Sequence, residues 1–320
     1  MLKKQCEYLM LKLVTFSASL TFASTVLYAQ PIQITAVQDS APSSLSTPSI
    51  TLQRKGAGKN NVVQGIALDQ KRDLAYTMHV TGNPEKGAIN RFNFNTSTSF
   101  IQSKDVQLPS SMIGHQGITV DPATGDLLTS AGKDIKNRGW HIVRFRYTPN
   151  AVPTFQIIPV FTKGYSKGAN AMPSFSPDGR YLVIRGNKDK TNIIRVYERP
   201  NLESLATQKP RYEWAVTSGL TSENYPFQAL TTDGRYVYML SGNGNPNLLK
   251  RLHIYTIQGQ LVQKIDNLSL GQAEAKQMGS ASVWEPEGLT FNLADNQLYI
   301  FYGVGEKGKK LGRIYKVQVN

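Results

Sequence analysis

The sequence predicts an all-β fold, a five-bladed β-propeller in a single domain. Three observations predict it: one strand pattern recurs five times, aromatic and β-branched residues are spread along the chain, and glycine and proline interrupt it at short intervals. The 320 residues include 26 Gly and 16 Pro, which suits many short strands joined by turns. Length alone does not set the number of domains, because propellers and barrels often exceed about 200 residues as one unit.

Five segments align without gaps, and each reads as a short strand that ends in a turn. Their final residues are 52, 57, 55 and 59 positions apart, a spacing typical of repeat architectures. Asp, Asn, Gly and Pro after each segment supply the side-chain bonds and the positive φ of tight turns, so a second strand is predicted to follow. The segments are Gln64-Gly-Ile-Ala-Leu-Asp69, Gln116-Gly-Ile-Thr-Val-Asp121, Pro173-Ser-Phe-Ser-Pro-Asp178, Gln228-Ala-Leu-Thr-Thr-Asp233 and Glu287-Gly-Leu-Thr-Phe-Asn292.

After each second strand come a Gly-, Asn- and Lys-rich loop and a third strand with an arginine among apolar residues. In four repeats a further extended stretch follows, whereas the last repeat ends at Asn320. We expect residues 50–54 to supply the missing outer strand and to close the ring. Such units fit a propeller, which protects strand edges by radial repetition, and a solenoid is the alternative. The arginines, for which we expect hydrogen bonds between blades, are Arg91, Arg144, Arg195, Arg251 and Arg313.

The beginning of the chain differs from the repeats. Lysines precede an apolar run over residues 13–26, and small residues lead to Ala29, which predicts a signal peptide over residues 1–29. A retained membrane anchor is the alternative, although the run is shorter than the about 20 apolar residues of a spanning helix. Residues 30–49, rich in Ser, Pro, Thr and Gln, are predicted to be a flexible lead-in, and residues 50–320 the propeller. The protein is therefore expected to be exported, periplasmic or secreted, without a transmembrane segment after cleavage.

Charge and cysteine content narrow the function classes. Removal of the predicted signal peptide, with three lysines and one glutamate, lowers the formal charge from +14 to +12. A basic exported protein favours anionic partners such as an envelope glycan or a phosphate-bearing polymer. The only cysteine, Cys6, lies within the signal peptide, so the mature chain can use neither disulfides nor thiol catalysis. Nothing marks a nucleic-acid-binding module, and export makes nucleic acid a poor partner.

Candidate ligand-binding residues collect on one face, where the innermost strands begin and the loops between second and third strands emerge. The polar residues at the strand starts could bond ligand hydroxyls, the aromatic residues could stack on sugar rings, and the lysines could bind anions. Each group also has a structural alternative: bonds to a neighbouring blade, packing between blades, or solubility. The candidates are Gln64, His115, Gln116, Asn170, Tyr225, Gln228, Trp284, Glu287, Lys133, Lys136, Lys188 and Lys309.

One pair of carboxylates offers a catalytic hypothesis. Glu285 and Glu287 would lie on one face of a strand, about 6.7 Å apart along the chain. This separation falls in the range of paired carboxylates in glycoside hydrolysis. Glu287, however, stands where other repeats have Gln64, Gln116 or Gln228, so a structural role is the simpler interpretation. Four histidines without cysteines or an HExxH helix predict neither a metal site nor a cofactor.

Several motifs resemble a known group, the helveticin J-like class III bacteriocins and the related proteins labelled teichoic acid biosynthesis protein C. The similarity extends over residues 62–319. It implies an envelope-associated propeller that recognises cell-wall polymers and leaves bacteriolytic activity open, while no catalytic residues carry over. The signal peptide departs from the leaderless bacteriocins of that group. The motifs are Gly114-His-Gln-Gly-Ile-Thr-Val120, Asn170-Ala-Met-Pro-Ser-Phe-Ser-Pro-Asp178, Ile193-Ile-Arg-Val-Tyr197, Glu285-Pro-Glu-Gly-Leu289 and Arg313-Ile-Tyr-Lys-Val317.

The sequence thus favours an exported propeller that binds an anionic cell-envelope polysaccharide, more in keeping with a binding protein than with an enzyme. Two alternatives remain open. One is a glycoside hydrolase of the bacterial envelope that uses Glu285 and Glu287. The other is a scaffold whose ring surface binds protein.

Overall fold

Five antiparallel sheets follow one another along the chain in the computed structural model, which describes residues 62–319 except 82–84, 96–98, 104, 106, 280 and 307–309. Within each sheet the strands pair in chain order, from the innermost to the outermost. The innermost strands of successive sheets contact one another, and the last contacts the first. The sheets are therefore the blades of a closed ring, which confirms the predicted five-bladed β-propeller.

The strands are numbered in chain order. Blade 1 contains β1 (Val62–Asp69), β2 (Leu74–Thr81), β3 (Lys86–Asn95) and β4 (Ser99–Gln102). Blade 2 contains β5 (Ile113–Val120), β6 (Leu127–Ala131), β7 (His141–Phe145) and β8 (Gln156–Pro159). Blade 3 contains β9 (Met172–Phe175), β10 (Tyr181–Lys188), β11 (Thr191–Glu198) and β12 (Tyr212–Ala215). Blade 4 contains β13 (Phe227–Thr232), β14 (Tyr236–Ser241), β15 (Lys250–Thr256) and β16 (Leu261–Leu268).

Blade 5 contains β17 (Ser282–Asn292), β18 (Gln297–Glu306) and β19 (Leu311–Gln318). It has three strands in the described part of the chain. The predicted outer strand at residues 50–54, the signal peptide and the lead-in lie outside the described residues and remain predictions. A helix of one to two turns, α1 (Gln272–Gln277), connects blades 4 and 5, and a 3₁₀ turn, Arg138–Trp140, precedes β7. Within the described ranges, no helix has the length and apolar character needed to cross a membrane.

The turn between the first and second strand of each blade has the chemistry that the repeats predicted. Every one of these five turns contains a residue with positive φ, where a left-handed backbone reverses the chain tightly. Side-chain oxygens at the start of four turns also accept backbone N–H groups, as Asp121 does from Ala123 at 2.9 Å. The residues with positive φ are Asp73, Gly125, Gly179, Gly234 and Asn296.

The hydrophobic core is divided into five clusters, and each cluster lies between two neighbouring blades. Inner strands are therefore covered on both faces: β13 is buried at all six positions, whereas the outer strand β12 is not buried at any of its four. The cluster between blades 5 and 1 joins Ile66 and Phe92 to Tyr299 and Phe301. This cluster closes the ring with apolar contacts, the main stabilising term for such packing.

A glutamine in the first turn also connects blade 1 to blade 5. The Gln70 side chain donates to the carbonyl of Phe291 at 2.8 Å and accepts the N–H of Leu293 at 2.9 Å. Each net hydrogen bond stabilises a fold by about 1 kcal/mol. We expect Gln70→Ala to lower the free energy of unfolding by about 2 kcal/mol, measured by urea unfolding, while Lys71→Ala, an exposed neighbour, changes it little. Equal effects of the two substitutions would show that Gln70 does not help to close the ring.

Candidate functional site

The candidate site lies on the face of the ring where inner strands begin and where the loops between second and third strands emerge; we call it the upper face. Hydrogen bonds hold its loops together across blades. Gly139 donates its N–H to the carbonyl of Lys167 at 2.9 Å, and Ser166 donates to that of Asn187 at 2.7 Å. In blade 3 the predicted loop is replaced by a tight hairpin turn at Asp189 and Lys190, both with positive φ.

The centre of the upper face is closed. Gln116 of blade 2 donates to the side-chain oxygen of Gln228 in blade 4 at 2.6 Å, and Gln228 donates to the carbonyl of Gly242 at 2.8 Å. Blades 2 and 4 are not neighbours, so this bridge spans the mouth of the ring. Gln64 and Gln228 are only 3% and 4% exposed. The cavity below, lined by Gly65, Gly117 and Glu287 among others, holds only about 10 Å³, too little for a sugar.

The two candidate carboxylates differ sharply in environment. Glu285 is partly exposed and accepts a hydrogen bond from the Lys310 ammonium at 2.6 Å. Glu287 is 1% exposed, and neither of its carboxyl oxygens has a hydrogen-bond partner among the described residues. Burial raises the pKa of Glu287 well above its ordinary value, and the charge of Glu285 raises it further. Burial therefore favours the neutral form of Glu287 and keeps it from a glycosidic oxygen in this conformation.

Trp284 is a structural residue rather than a sugar platform. It has no exposed surface, stacks on Tyr302 with ring centroids 5.4 Å apart, and donates its indole N–H to the carbonyl of Leu270 at 3.1 Å. The Lys250 ammonium lies 4.2 Å from the centre of the Trp284 ring. The predicted alternative of packing between blades is the one that the structure shows.

Lys250 organises the loop over residues 242–249. The side chain is fully buried, and its ammonium donates to the carbonyls of Asn243, Asn245 and Leu248 at 2.9, 2.9 and 2.7 Å. Burial lowers the pKa of Lys250 to about 7, and the charge of Glu285 opposes this shift. The lysine therefore has a structural role and does not contribute to the exposed charge.

The remaining polar candidates are occupied to different degrees. Tyr225 carries the Arg251 guanidinium 3.5 Å from its ring centre, so an arginine already covers one face of the ring. The backbone carbonyl of Asn170 accepts a hydrogen bond from Arg185, and burial lowers the pKa of Arg185 to about 10. The side-chain oxygen of Asn170 is buried and has no hydrogen-bond partner among the described residues. His115 is partly exposed, and burial lowers its pKa below the ordinary value. His115 and Gln116 remain accessible at the mouth of the ring.

The repeated arginines bind acidic groups, backbone carbonyls and rings, in part across blades as predicted. Arg144 pairs with Asp126 of its own blade at 2.8 Å and with Glu203 of blade 3 at 2.7 Å. Arg313 binds Glu274 of the helix α1 at 2.7 Å. The arginines are thus engaged within the protein, and the free positive charge of the upper face comes from lysines.

Six lysines of blades 2 and 3 form an exposed group that we call the basic surface. None makes an ion pair with another residue of the part that the structure describes. Two nearby acids accept hydrogen bonds from other groups: Asp134 from Ser111, and Glu213 from Arg195 at 2.5 Å and Tyr165 at 2.8 Å. A third acid, Asp189, is exposed between Lys188 and Lys190. The basic surface consists of Lys133, Lys136, Lys163, Lys167, Lys188 and Lys190.

The sequence repeats had indicated part of this surface. Lys133, Lys136 and Lys188 were predicted from the loops between second and third strands, and Lys309 lies outside the described residues. Lys163 and Lys167 were missed because they belong to the connection from blade 2 to blade 3. The composition of residues 162–169, rich in Lys, Gly and Ser, could have marked this connection as an upper-face loop.

Fold and site together define a closed five-bladed propeller with a filled centre and a basic surface on its upper face. The chain belongs to the family of phage 5-bladed β-propeller receptor-binding platform domains, whose family model matches residues 62–316. No curated protein matches the chain. The family model does not name helveticin J-like proteins, so the resemblance of the sequence motifs to that group remains a prediction.

Several solved structures align with most of the chain. The tail fibre of Staphylococcus aureus phage P68 is 18% identical, with a TM-score of 0.58 over 82% of this chain and 51% of the fibre. The chain thus spans about half of that fibre. A family 43 β-1,3-galactosidase is 10% identical, with a TM-score of 0.48 over 80% of this chain and 92% of the enzyme. A chain of the nidogen–laminin complex is 11% identical, with a TM-score of 0.44 over 81% of this chain and 85% of that chain.

Proposed function

We propose that this propeller binds an anionic, phosphate-bearing polysaccharide of a bacterial cell envelope through the basic surface. The observation that carries the proposal is the group of six exposed lysines without ion pairs to described residues. Exposed ammonium groups attract an anionic polymer at a strength of about 1 kcal/mol per lysine. Membership of a family of receptor-binding platforms supports a binding role at a cell surface.

Aromatic side chains beside the lysines suit a carbohydrate ligand. Trp140 and Tyr165 are partly exposed, and the indole N–H of Trp140 donates to the carbonyl of Tyr165 at 2.9 Å. The Lys167 ammonium lies 5.9 Å from the Trp140 ring centre. A rigid ring beside flexible cations can contact a sugar face while the cations hold its phosphates. The predicted export would bring this surface to such a polymer outside the cytoplasm.

The binding function accounts for the structure better than the hydrolase or scaffold alternatives. A glycosidase would need both carboxyls beside a scissile bond, but Glu287 is 1% exposed and the cavity beside it holds about 10 Å³. A scaffold would be expected to present an apolar patch. Five large apolar side chains are exposed among the described residues. Leu108, Val152 and Ile157 lie in or beside blade 2, whereas Leu261 and Leu293 lie in blades 4 and 5, so this apolar surface is small and local.

The proposal predicts a large loss of polymer binding on charge reversal of the basic surface. We expect the triple variant Lys133→Glu, Lys136→Glu, Lys188→Glu to bind a purified wall teichoic acid about 100-fold more weakly, since three contacts of about 1 kcal/mol are lost. Affinity should be measured by titration calorimetry at low and physiological salt, because screening weakens exposed charge contacts. Dextran, a neutral polysaccharide, should bind weakly to every form.

A second triple variant controls for net charge. Lys71, Arg199 and Lys209 are exposed on the opposite face of the ring, so reversing them changes the net charge equally. We expect this control to retain most of the affinity for the teichoic acid. If both triple variants lost affinity equally, binding would reflect net charge alone, and if neither lost affinity the proposal would be wrong.

A further inference from the structure

A serine, a histidine and an aspartate from three different segments form a hydrogen-bonded chain at the boundary of blades 3 and 4. Ser218 lies in the connection between β12 and β13, His253 in β15 and Asp266 in β16. The Ser218 hydroxyl oxygen is 2.6 Å from His253 Nδ1, and His253 Nε2 is 2.7 Å from an Asp266 carboxylate oxygen. The imidazole is fully buried, whereas Ser218 and Asp266 reach the surface.

The protonation states favour a base beside the serine. Burial lowers the pKa of His253, and the hydrogen bond and charge of Asp266 oppose that shift. Partial burial raises the pKa of Asp266, but the hydrogen bond from His253 and the charges of His253, Lys264 and Arg251 bring it below its ordinary value. At neutral pH Asp266 is therefore a carboxylate that accepts the N–H of a neutral imidazole. The other ring nitrogen, Nδ1, then carries the lone pair that accepts the Ser218 O–H.

The segment around Ser218 is held in place on both sides. The N–H of Ser218 donates to the Tyr255 hydroxyl at 3.1 Å, and Tyr255 stacks on Trp214 with ring centroids 5.0 Å apart. On the other side the Arg251 guanidinium donates to the carbonyl of Gly219 at 2.8 Å. Such contacts limit the motion of the hydroxyl relative to the imidazole, which a nucleophile and its base require.

The residue after Ser218 offers a donor for a developing negative charge. Gly219 has φ of +76°, so the chain turns sharply directly after the serine. Its N–H donates to no other group within the described part of the chain. In serine hydrolases the N–H that follows the nucleophile commonly contributes to the oxyanion hole.

We propose that Ser218, His253 and Asp266 form an ester-hydrolysing site in which Ser218 is the nucleophile, His253 the general base and Asp266 the group that orients the imidazole. In the best-known serine triad, Nε2 faces the serine and Nδ1 faces the aspartate, whereas in His253 the two nitrogens are reversed. Either nitrogen of the conjugated ring can accept the proton. One oxyanion donor suits an ester, whose alcohol leaving group departs more readily than an amine.

The reaction balances with water as the second substrate. Ser218 Oγ attacks the acyl carbon, its proton passes to His253 Nδ1, and the ester C–O bond breaks as His253 returns that proton to the leaving alcohol. Water then attacks the acyl-serine, gives its proton to His253, and a carboxylic acid leaves as Ser218 regains its hydroxyl. The ester substrate that suits the upper face is an O-acyl group on the bound polysaccharide. This choice of substrate rests on the proposed function, whereas the proposal of ester hydrolysis by Ser218 does not.

A covalent probe tests the nucleophile in the unmodified protein. We expect a fluorophosphonate to form one covalent adduct per protein molecule, and mass spectrometry should locate this adduct on the peptide that contains Ser218. We also expect turnover of p-nitrophenyl acetate to fall at least about 100-fold in Ser218→Ala, because the variant lacks the nucleophile that forms the acyl intermediate. Thr217→Ala, which removes the exposed neighbouring hydroxyl, should keep both labelling and turnover.

A second variant separates an orienting role from a merely structural one. Asp266→Asn keeps the size of the side chain but cannot stabilise a charged imidazole, so we expect turnover to fall about 100-fold while thermal unfolding shows a folded protein. An unlabelled Ser218, turnover in Ser218→Ala equal to that of the wild type, or labelling without turnover above the Ser218→Ala background would each overturn the proposal. Neither substitution touches the basic surface, so teichoic acid binding should persist in both, and failure of binding would leave the ester assay unaffected.

Discussion

Glu287→Gln is expected to stabilise the propeller at neutral pH. The carboxyl is 1% exposed and neither oxygen accepts a hydrogen bond from a described residue, so folding at neutral pH must either protonate it or bury its charge beside Glu285 with only partial compensation from Lys310. Glutamine has the same shape without that charge. In blade 4 the equivalent Gln228 donates to the carbonyl of Gly242, and the corresponding position in blade 5 is Gly303, whose site lies against the Glu287 side chain. The new amide therefore has an acceptor of the same kind within reach.

The gain in stability from Glu287→Gln should increase as the pH rises. Burial, followed by the charge of Glu285, raises the pKa of Glu287 above that of the unfolded chain. Between the two pKa values the folded state binds more protons than the unfolded state, so wild-type stability falls as pH rises through this window. Each unit of difference between the folded and unfolded pKa values of Glu287 corresponds to about 1.4 kcal/mol of stability. We expect the two proteins to be similar near the ordinary carboxyl pKa and the variant to be more stable at neutral pH, measured by urea unfolding across this range.

The neighbouring carboxylate provides a matched control. Glu285→Gln removes the ion pair with Lys310, which contributes about 1 kcal/mol or less, but also removes the charge that raises the pKa of Glu287. Because these two effects oppose each other, we expect a small net change in stability. A loss of stability in Glu287→Gln at neutral pH would contradict the prediction. It would show that the Glu287 carboxyl, whether charged or protonated, is held by a partner that the amide cannot replace.

Trp284→Ala is expected to cause the largest loss of stability of any substitution on the upper face. Trp284 is fully buried, stacks on Tyr302, and lies under the Lys250 ammonium. Truncation of a buried tryptophan typically costs about 3–5 kcal/mol, through lost burial and the cavity that remains. For a domain of this size we expect the melting temperature to fall by roughly 6–20 °C, measured by calorimetry.

A conservative variant separates packing from ligand binding. Trp284→Phe keeps a ring on Tyr302 but loses the N–H bond to the Leu270 carbonyl, so we expect a smaller loss, about 1 kcal/mol beyond the change in packing. At a temperature where Trp284→Phe is folded, its affinity for the teichoic acid should equal that of the wild type. A strong loss of affinity in a folded Trp284→Phe variant would show that Trp284 contributes to ligand binding.

The fold could be predicted because each repeat carries local information about its own turn. Residues with positive φ at Gly125, Gly179 and Gly234 stand where the repeated segments end, and the strands on either side of each turn are enriched in apolar residues. A turn and its two strands involve neighbours in sequence, so the pattern is visible without the tertiary structure. The same alignment offered Gln64 and Gln228 as ligand-binding candidates with a structural alternative, and both are buried at the channel mouth.

The candidate site could be predicted only in part, because exposure depends on contacts between blades. Tyr225 and Trp284 each stand three residues before the start of their repeat segments, yet Trp284 is fully buried and Tyr225 is covered by Arg251. Lys310 lies in a predicted lysine-rich loop but is paired with Glu285, whereas Lys163 and Lys167 of another connection join the basic surface. A loop's composition indicates charge but does not tell which charges already have partners.

The sequence by itself determined the five-blade architecture, the positions of the turns between first and second strands, and the excess of positive charge. These features follow from short-range patterns and from composition. Only the tertiary structure decided which groups meet: Ser218, His253 and Asp266 lie up to 48 residues apart along the chain, and no motif connects them. Their juxtaposition arises because blades 3 and 4 pack side by side, which brings an interblade connection against two outer strands. The same packing set the burial of Glu287 and the exposure of the basic surface, and therefore where binding and chemistry are to be tested.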